Sequence, residues 1–373
     1  MGVASSKLEK ALGTDFPDSE RYFGLDNFGN TCYVNSVVQS LYHCQTFRKE
    51  VLDNQQKQPI DVNNMLTSLA ELFQILNSQK KKTGSVAPKK FVDQLRSESE
   101  LFKSNMHQDA QEFLNFLLNA IVENLQKAAN KEESKKTLSE DANKVQNKQG
   151  KAKQTWVHDI FEGKMTNETR CICCEHVSSR EESFFDLSVD ICQNSSLTQC
   201  LNNFSSMETL RGNNKFHCDR CNSLQEAQKS IKIKKLPQVM AIQLKRFKYS
   251  EEIQNNKKLS YRVAFPFELK MCNTSQDCES DPDTPYELFA VVLHVGSGPN
   301  HGHYKTVVKS CGKWLLFDDD LVDLVDEKYV RSLYGFPNDF NGTSDTGYIL
   351  FYKSISHDKE VQHVEKKNEH YEE

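Results

Sequence analysis

Apolar residues in the first third of the chain recur with helical spacing. Between residues 62 and 76 they fall at 62, 65, 66, 69, 72, 73 and 76, a period near 3.6 that predicts an amphipathic helix. A longer stripe follows, in which Ala110, Phe113, Leu114, Leu117, Leu118, Ile121, Val122 and Leu125 share one face. Asp109 and Glu112 suit its first turn, where side-chain oxygens can accept from unpaired N–H groups. From 128 to 153 the pattern disappears. Nearly every side chain there is Lys, Asn, Glu, Gln or Ser, too little apolar surface to offset the entropy of ordering, so a mobile insertion is expected. Residues 272–285 and the tail beyond Ser354 read the same way. In the second half the runs 230–236, 239–244, 287–295, 304–309, 313–317 and 348–352 are of strand type. Helices first and strands later predict an α+β architecture rather than a repeated βαβ unit.

Composition narrows the classes. Only 37% of the 373 residues are hydrophobic, which fits the solvated segments just described. The longest apolar stretch, 288–295, is broken by His294 and lies far below the roughly 18 residues a membrane span requires, so no transmembrane segment is expected. Lys and Arg number 47 against 52 Asp and Glu, a formal charge of −5, without the basic excess of a nucleic-acid binder. The basic run 211–235 carries no interleaved aromatic stacking set and reads as a solvated face. Twelve cysteines are far fewer than a disulfide scaffold uses, and Lys7, Glu9, Lys10 and Asp15 stand where a secretory leader would be apolar. Reduced thiols in an intracellular chain are the expectation.

Gly24-Leu25-Asp26-Asn27-Phe28-Gly29-Asn30-Thr31-Cys32-Tyr33 is a glycine-punctuated loop that runs into the helical spacing of Val34, Val37, Val38 and Leu41. This puts Cys32 at a helix N-terminus, where unpaired N–H groups and the helix dipole favour thiolate. A small buried thiol is the plainer alternative for any one such cysteine. A nucleophile needs a base, and Gly296 to Tyr304 contains His301 and His303 at the opening of a strand. A turn through Ser310-Cys311-Gly312 leads to a return strand that runs into Asp318-Asp319-Asp320. Pairing Lys309 with Lys313 sets His303 opposite Asp319, whereas pairing Val308 with Lys313 sets it opposite Asp318; a one-residue slip reverses the faces, so the pattern leaves both open.

Together these segments are far more specific. The runs Gly24-Leu25-x-Asn27-x-Gly29-Asn30-Thr31-Cys32-Tyr33-x-Asn35-Ser36, His107-Gln108-Asp109-Ala110-Gln111-Glu112-Phe113 and Gly302-His303-Tyr304, with Trp314 and Phe317-Asp318-Asp319 behind them, resemble the cysteine, glutamine and histidine boxes of the ubiquitin-specific protease family. The resemblance spans roughly residues 21 to 353 and implies a papain-like fold with thumb, zinc-bearing β-ribbon fingers and palm, cleaving ubiquitin from its attachment lysine. It implies Cys32 as nucleophile, His303 as general base, Asp318 as the group that orients it, Asp319 as accessory and Asn27 as oxyanion donor. Asp109 and Glu112 would hold the ubiquitin tail, and His294 and Tyr304 would line its channel. Gly24 and Gly302 would serve close backbone approach. The implied layout is a flexible segment 1–20, a catalytic domain 21–355 with thumb about 21–127, insertion about 128–153, fingers about 160–235 and palm about 236–355, and a polar tail 356–373.

Cys171-x-x-Cys174 and Cys218-x-x-Cys221 have zinc-knuckle spacing, and two such pairs predict one tetrathiolate site; the family carries a structural Zn2+ there. Cys173 is a competing ligand by proximity. The short chain without accessory domains, Tyr22-Phe23-Gly24-Leu25, and Trp314 through Asp320 are similar to a small subgroup activated by WD-repeat β-propeller proteins. Met1-Gly2-Val3-Ala4-Ser5-Ser6 fits an N-myristoylation pattern on Gly2, which would give at most weak, reversible membrane contact. The expected compartment is the cytoplasm, with a nuclear or partly membrane-associated pool left open.

Overall fold

A helix buried on all sides organises the first half of the computed structural model, which describes residues 7–57, 63–104, 106–137, 153–251, 254–298, 301–337 and 344–355. This helix, Cys32–Tyr42, is buried at every one of its 11 positions. Burial is tolerable because its polar residues are hydrogen-bonded. Gln39 donates to the Phe23 carbonyl (2.7 Å), Asn35 to the Leu25 carbonyl (3.1 Å), and Ser40 shares a 2.9 Å hydrogen bond with Thr306. Around it lie helices Gln45–Lys57, Met65–Asn77, Lys89–Glu98 and Ala110–Thr137. Met65–Asn77 is started by an Asn64–Thr67 capping box. Phe73, Phe91, Phe102 and Phe113 fill the space between, each at most 1% exposed.

The chain divides into two units, residues 1–160 with 290–330, and 161–289 with 331–373. The first contains the helices, a parallel pair Tyr22–Leu25 and Thr83–Val86, and an antiparallel meander in which His301–Ser310 pairs on one side with residues 290–298 and on the other with Lys313–Asp318, itself paired with Leu321–Val325. The second contains a four-stranded antiparallel ribbon, Val177–Phe184, Gly163–Cys171, Ala227–Lys235 and Glu208–Leu210 in spatial order. It also contains Ser344–Ser354 antiparallel to Val239–Leu244, which is parallel to Asp186–Val189. Arg246, fully buried there, donates to the carbonyls of Gly347 (2.6 Å), Leu259 (3.0 Å) and Tyr261 (3.0 Å).

Three expectations need correction. The first twenty residues are not all flexible: helix Lys7–Leu12 buries Leu8 and Leu12, and Glu9 accepts from Thr83. A polar stretch does not end the long helix at 127, since the helix runs on to Thr137, with 138–152 outside the described residues. Residues 272–285 are not a mobile loop. Ile233 N donates to Asn273 O (2.9 Å), Ser275 N to Ile233 O (2.8 Å) and Glu279 N to Lys234 O (2.7 Å), so backbone pairing rather than apolar content orders the segment.

Candidate active site

Gly29 and Asn30 take positive φ values (74° and 57°), reversing the chain just before Cys32, the first residue of the buried helix. Glycine and asparagine are the residues that adopt this conformation at least cost. Asn27 is fixed within the turn: its Oδ1 accepts from Thr31 N (3.2 Å) and its Nδ2 donates to Asp319 Oδ2 (2.8 Å). Arg96 holds the Phe28 carbonyl (2.8 Å).

The meander brings the histidine and the acids to this loop. His303 Nε2 lies 2.6 Å from Asp318 Oδ1 and 4.0 Å from Asp319 Oδ2. The Cys32 thiol is the largest influence that raises His303 to about 9; Asp318 and Asp319 add to it and burial opposes it. With Nε2 on Asp318, Nδ1 is the nitrogen left for the thiol. Asp318 stays below the ordinary carboxylate range despite its burial, because Lys305 and His303 both bond it. Asp319 is held differently. It takes φ +50°, its carbonyl accepts from Leu25 N (2.8 Å), and its carboxylate accepts from Asn35 (2.8 Å) as well as Asn27.

Neither register read from the sequence is the real one. Ser310 pairs with Lys313 and Thr306 with Phe317, because the connection is a two-residue turn, Cys311-Gly312, with φ values of 47° and 76°. A two-residue turn with both φ positive matches the strand twist, but cysteine is not a residue that announces it. The true pairing differs by two residues from the one that set His303 opposite Asp318, so the face is unchanged and Asp318 remains the partner.

Gly24 and Gly302 are both required by close approach. A Cβ on Gly24 would meet the Asp320 carbonyl at 2.4 Å, and one on Gly302 would meet His294 Nε2 at 2.1 Å. His294 and Tyr304 are cross-strand partners, both buried, with ring centroids 4.9 Å apart at 66°. Burial pushes the Tyr304 hydroxyl well above its ordinary value, with Asp109 and Glu112 adding to it. Asp109 caps helix Ala110–Thr137 through Gln111 N (2.7 Å), and partial desolvation with Asp109 nearby raises Glu112. The sequence-derived catalytic and tail residues therefore all lie in one unit.

The description of the ubiquitin carboxyl-terminal hydrolase family matches residues 23–352. The chain belongs to that family. It is 53% identical over 365 residues to ubiquitin carboxyl-terminal hydrolase 4 of Arabidopsis thaliana, covering 95% of this chain and 99% of the relative. It is 50% identical over 357 residues to ubiquitin carboxyl-terminal hydrolase 12 of Salmo salar, covering 95% of each. Among solved structures, the SAGA Ubp8/Sgf11/Sus1/Sgf73 DUB module bound to ubiquitin aldehyde contains a chain that matches with TM-score 0.69 and 26% identity, over 91% of this chain and 71% of the other.

In this hydrolase the second cluster lies in the β-ribbon unit. The sulfurs of Cys171, Cys174, Cys218 and Cys221 all fall within 4.8 Å of one another, with Cys174–Cys218 at 3.6 Å and Cys171–Cys221 at 4.0 Å. A tetrahedral ion with metal–sulfur bonds of about 2.3 Å sets sulfurs about 3.8 Å apart, so the set can hold a metal ion. The two halves are built alike: the residue after each second cysteine, Glu175 and Asn222, has positive φ (56° and 51°). Backbone N–H groups, that of Cys174 foremost, draw the Cys171 thiol down to about 7. Four sulfurs so close can all be thiolates only around a cation. Cys173 is exposed and outside the cluster. Among the described residues no helix is long and apolar enough to cross a membrane. Gly2 lies outside them. Sequence reasoning gave no role to Asn35, which ties the nucleophile helix to Asp319, or to Lys305, which bonds Asp318 (2.8 Å). Asn35 stands in the cysteine run; for Lys305, only the true hairpin register would have revealed it.

Proposed function

We propose that this chain is a thiol-dependent deubiquitinase that hydrolyses the isopeptide bond between the C-terminal glycine of ubiquitin and a substrate lysine. The observation that carries the reading is His303 Nε2 at 2.6 Å from Asp318 Oδ1, with Cys32 the largest influence on the same imidazole. His303 takes the Cys32 proton, and the thiolate attacks the glycine carbonyl carbon. The resulting oxyanion faces Asn27 Nδ2, whose other partner, Asp319, fixes its direction, and the positive end of helix Cys32–Tyr42. Collapse breaks the C–N bond as the imidazolium protonates the departing lysine amine, leaving a thioester on Cys32. His303 then deprotonates a water that attacks this thioester; the C–S bond breaks and the thiol is restored with free ubiquitin. Asp109, Glu112, His294 and Tyr304 form the tail-binding part of the reading.

Cys171, Cys174, Cys218 and Cys221 would hold one structural Zn2+, whose contribution is folding energy for the ribbon. The residues 22–25 and 314–320 support a further reading, in which a WD-repeat propeller protein activates the enzyme. A cytoplasmic enzyme, with an acylated Gly2 providing weak membrane contact, fits the sequence. The decisive test is a ubiquitin bearing a C-terminal electrophile. It should label the wild-type protein and not Cys32→Ala, which should still bind ubiquitin; labelling of Cys32→Ala would refute the reading.

A further inference from the structure

Asp318 has two oxygens and two partners. Oδ1 is 2.6 Å from His303 Nε2, and Oδ2 is 2.8 Å from Lys305 Nζ. His303 and Lys305 alternate by two along strand His301–Ser310 and so project from the same face. The turn Cys311-Gly312 sets the register that ends with Thr306 opposite Phe317, which leaves Asp318 beside the next strand position, Lys305. The three side chains are 35%, 21% and 30% exposed for His303, Lys305 and Asp318, so the ammonium is neither fully screened by water nor buried without a counter-ion.

The geometry assigns Lys305 a positioning role in the proposed reaction: its ammonium clamps Asp318 Oδ2, aims Oδ1 at His303, and offsets the carboxylate charge that His303 feels. The assignment rests on the triad reading above. Two effects follow. A carboxylate held at one oxygen only can rotate about its terminal torsion, which is broad, and lose the line to Nε2. A cation held at the same carboxylate also makes the imidazolium less favourable than an unaccompanied Asp318 would. The charged or titratable groups that act on His303 are Cys32 from the helix, Asp318 from the end of the return strand and Asp319 from the turn, and Lys305, from His303's own strand, reaches it through Asp318. Lys305 is the cation of this set, and removing it raises the pKa of the base.

The experiment is the pH profile of kcat/KM on ubiquitin with a C-terminal fluorogenic amide, for wild type, Lys305→Met, Lys305→Gln, Lys305→Arg and Asp318→Ala. Both neutral variants should shift the basic limb upward by about half a unit to one unit and lower kcat several-fold, and Lys305→Arg should restore both values. Using two neutral variants guards against one failing to fold, which a melting curve reports. A neutral variant with an unmoved basic limb and unchanged kcat, beside an Asp318→Ala variant that is impaired, would reduce Lys305 to a surface ion pair and overturn the proposal alone. An unimpaired Asp318→Ala would overturn both this proposal and the triad reading on which it stands.

Discussion

At the scale of single residues, the charge state of His303 sets the working pH. The nearby thiol, Asp318 and Asp319 lift it from an ordinary 6.5 to about 9, so the ring stays protonated through neutral pH. We expect kcat/KM to hold from neutrality and fall through about 9, measured on a fluorogenic ubiquitin amide. The sign for stability is the same: a folded-state value above the unfolded one stabilises fully below about 6.5, and that contribution is lost as pH rises through about 9. Asp318→Ala removes the 2.6 Å acceptor and should lower kcat by about 10² to 10⁴, with the basic limb shifted downward. Asp319→Ala leaves that contact but frees the side-chain amides of Asn27 and Asn35, so its loss should be smaller, up to about 10². If Asp319→Ala proves the more damaging of the two, holding the oxyanion loop matters more than orienting the base. Residue types alone made Cys32 and His303 legible. They could not rank Asp318 over Asp319, because that depends on a turn whose first residue, Cys311, has no intrinsic preference for φ +47°.

Elements explain why glycines and cysteines stand where they do. Strand Tyr22–Leu25 passes so close to the Asp319–Asp320 turn that any Cβ on Gly24 would overlap backbone at 2.4 Å, and backbone cannot rotate away as a side chain tip can. Gly24→Ala should therefore cost about 1–3 kcal/mol, read as a lower Tm, and lower kcat because the same approach carries the Leu25–Asp319 bond. A Tm equal to wild type would mean that the strand shifts freely. In the ribbon, serine at Cys171, Cys174, Cys218 or Cys221 should remove one equivalent of zinc by elemental analysis and lower thermal stability, whereas Cys173→Ser should keep both. Retention of zinc by Cys171→Ser would move the ligand set to Cys173. The paired spacing made this cluster readable because a knuckle is local. The order within 272–285 was not readable, since it comes from backbone bonds to Ile233 and Lys234, which leave no mark on side-chain composition.

For the whole molecule, one unit holds every candidate catalytic and tail residue and the other the four-cysteine cluster. The α+β class was legible because helical and strand periods occupy different stretches of chain. The packed helix Lys7–Leu12 was not, because two buried leucines make no stripe. In the isolated chain His303 and Asp318 are already hydrogen-bonded, and Cys32 acts on the same imidazole. A propeller activator would therefore act by enlarging the population that engages ubiquitin productively rather than by supplying a missing group. Such a partner must bind the competent state more tightly than the idle one, and a tenfold gain in rate requires about 1.4 kcal/mol of that difference. We expect kcat/KM of the chain alone to fall below about 10⁴ M⁻¹s⁻¹ and to rise at least tenfold with a cognate propeller protein, while Cys32→Ala stays inactive with or without it. A chain that alone already works within about 10⁴ to 10⁸ M⁻¹s⁻¹, and that no propeller protein accelerates, would remove the activator from the scheme and leave the chemistry of Cys32, His303 and Asp318 intact.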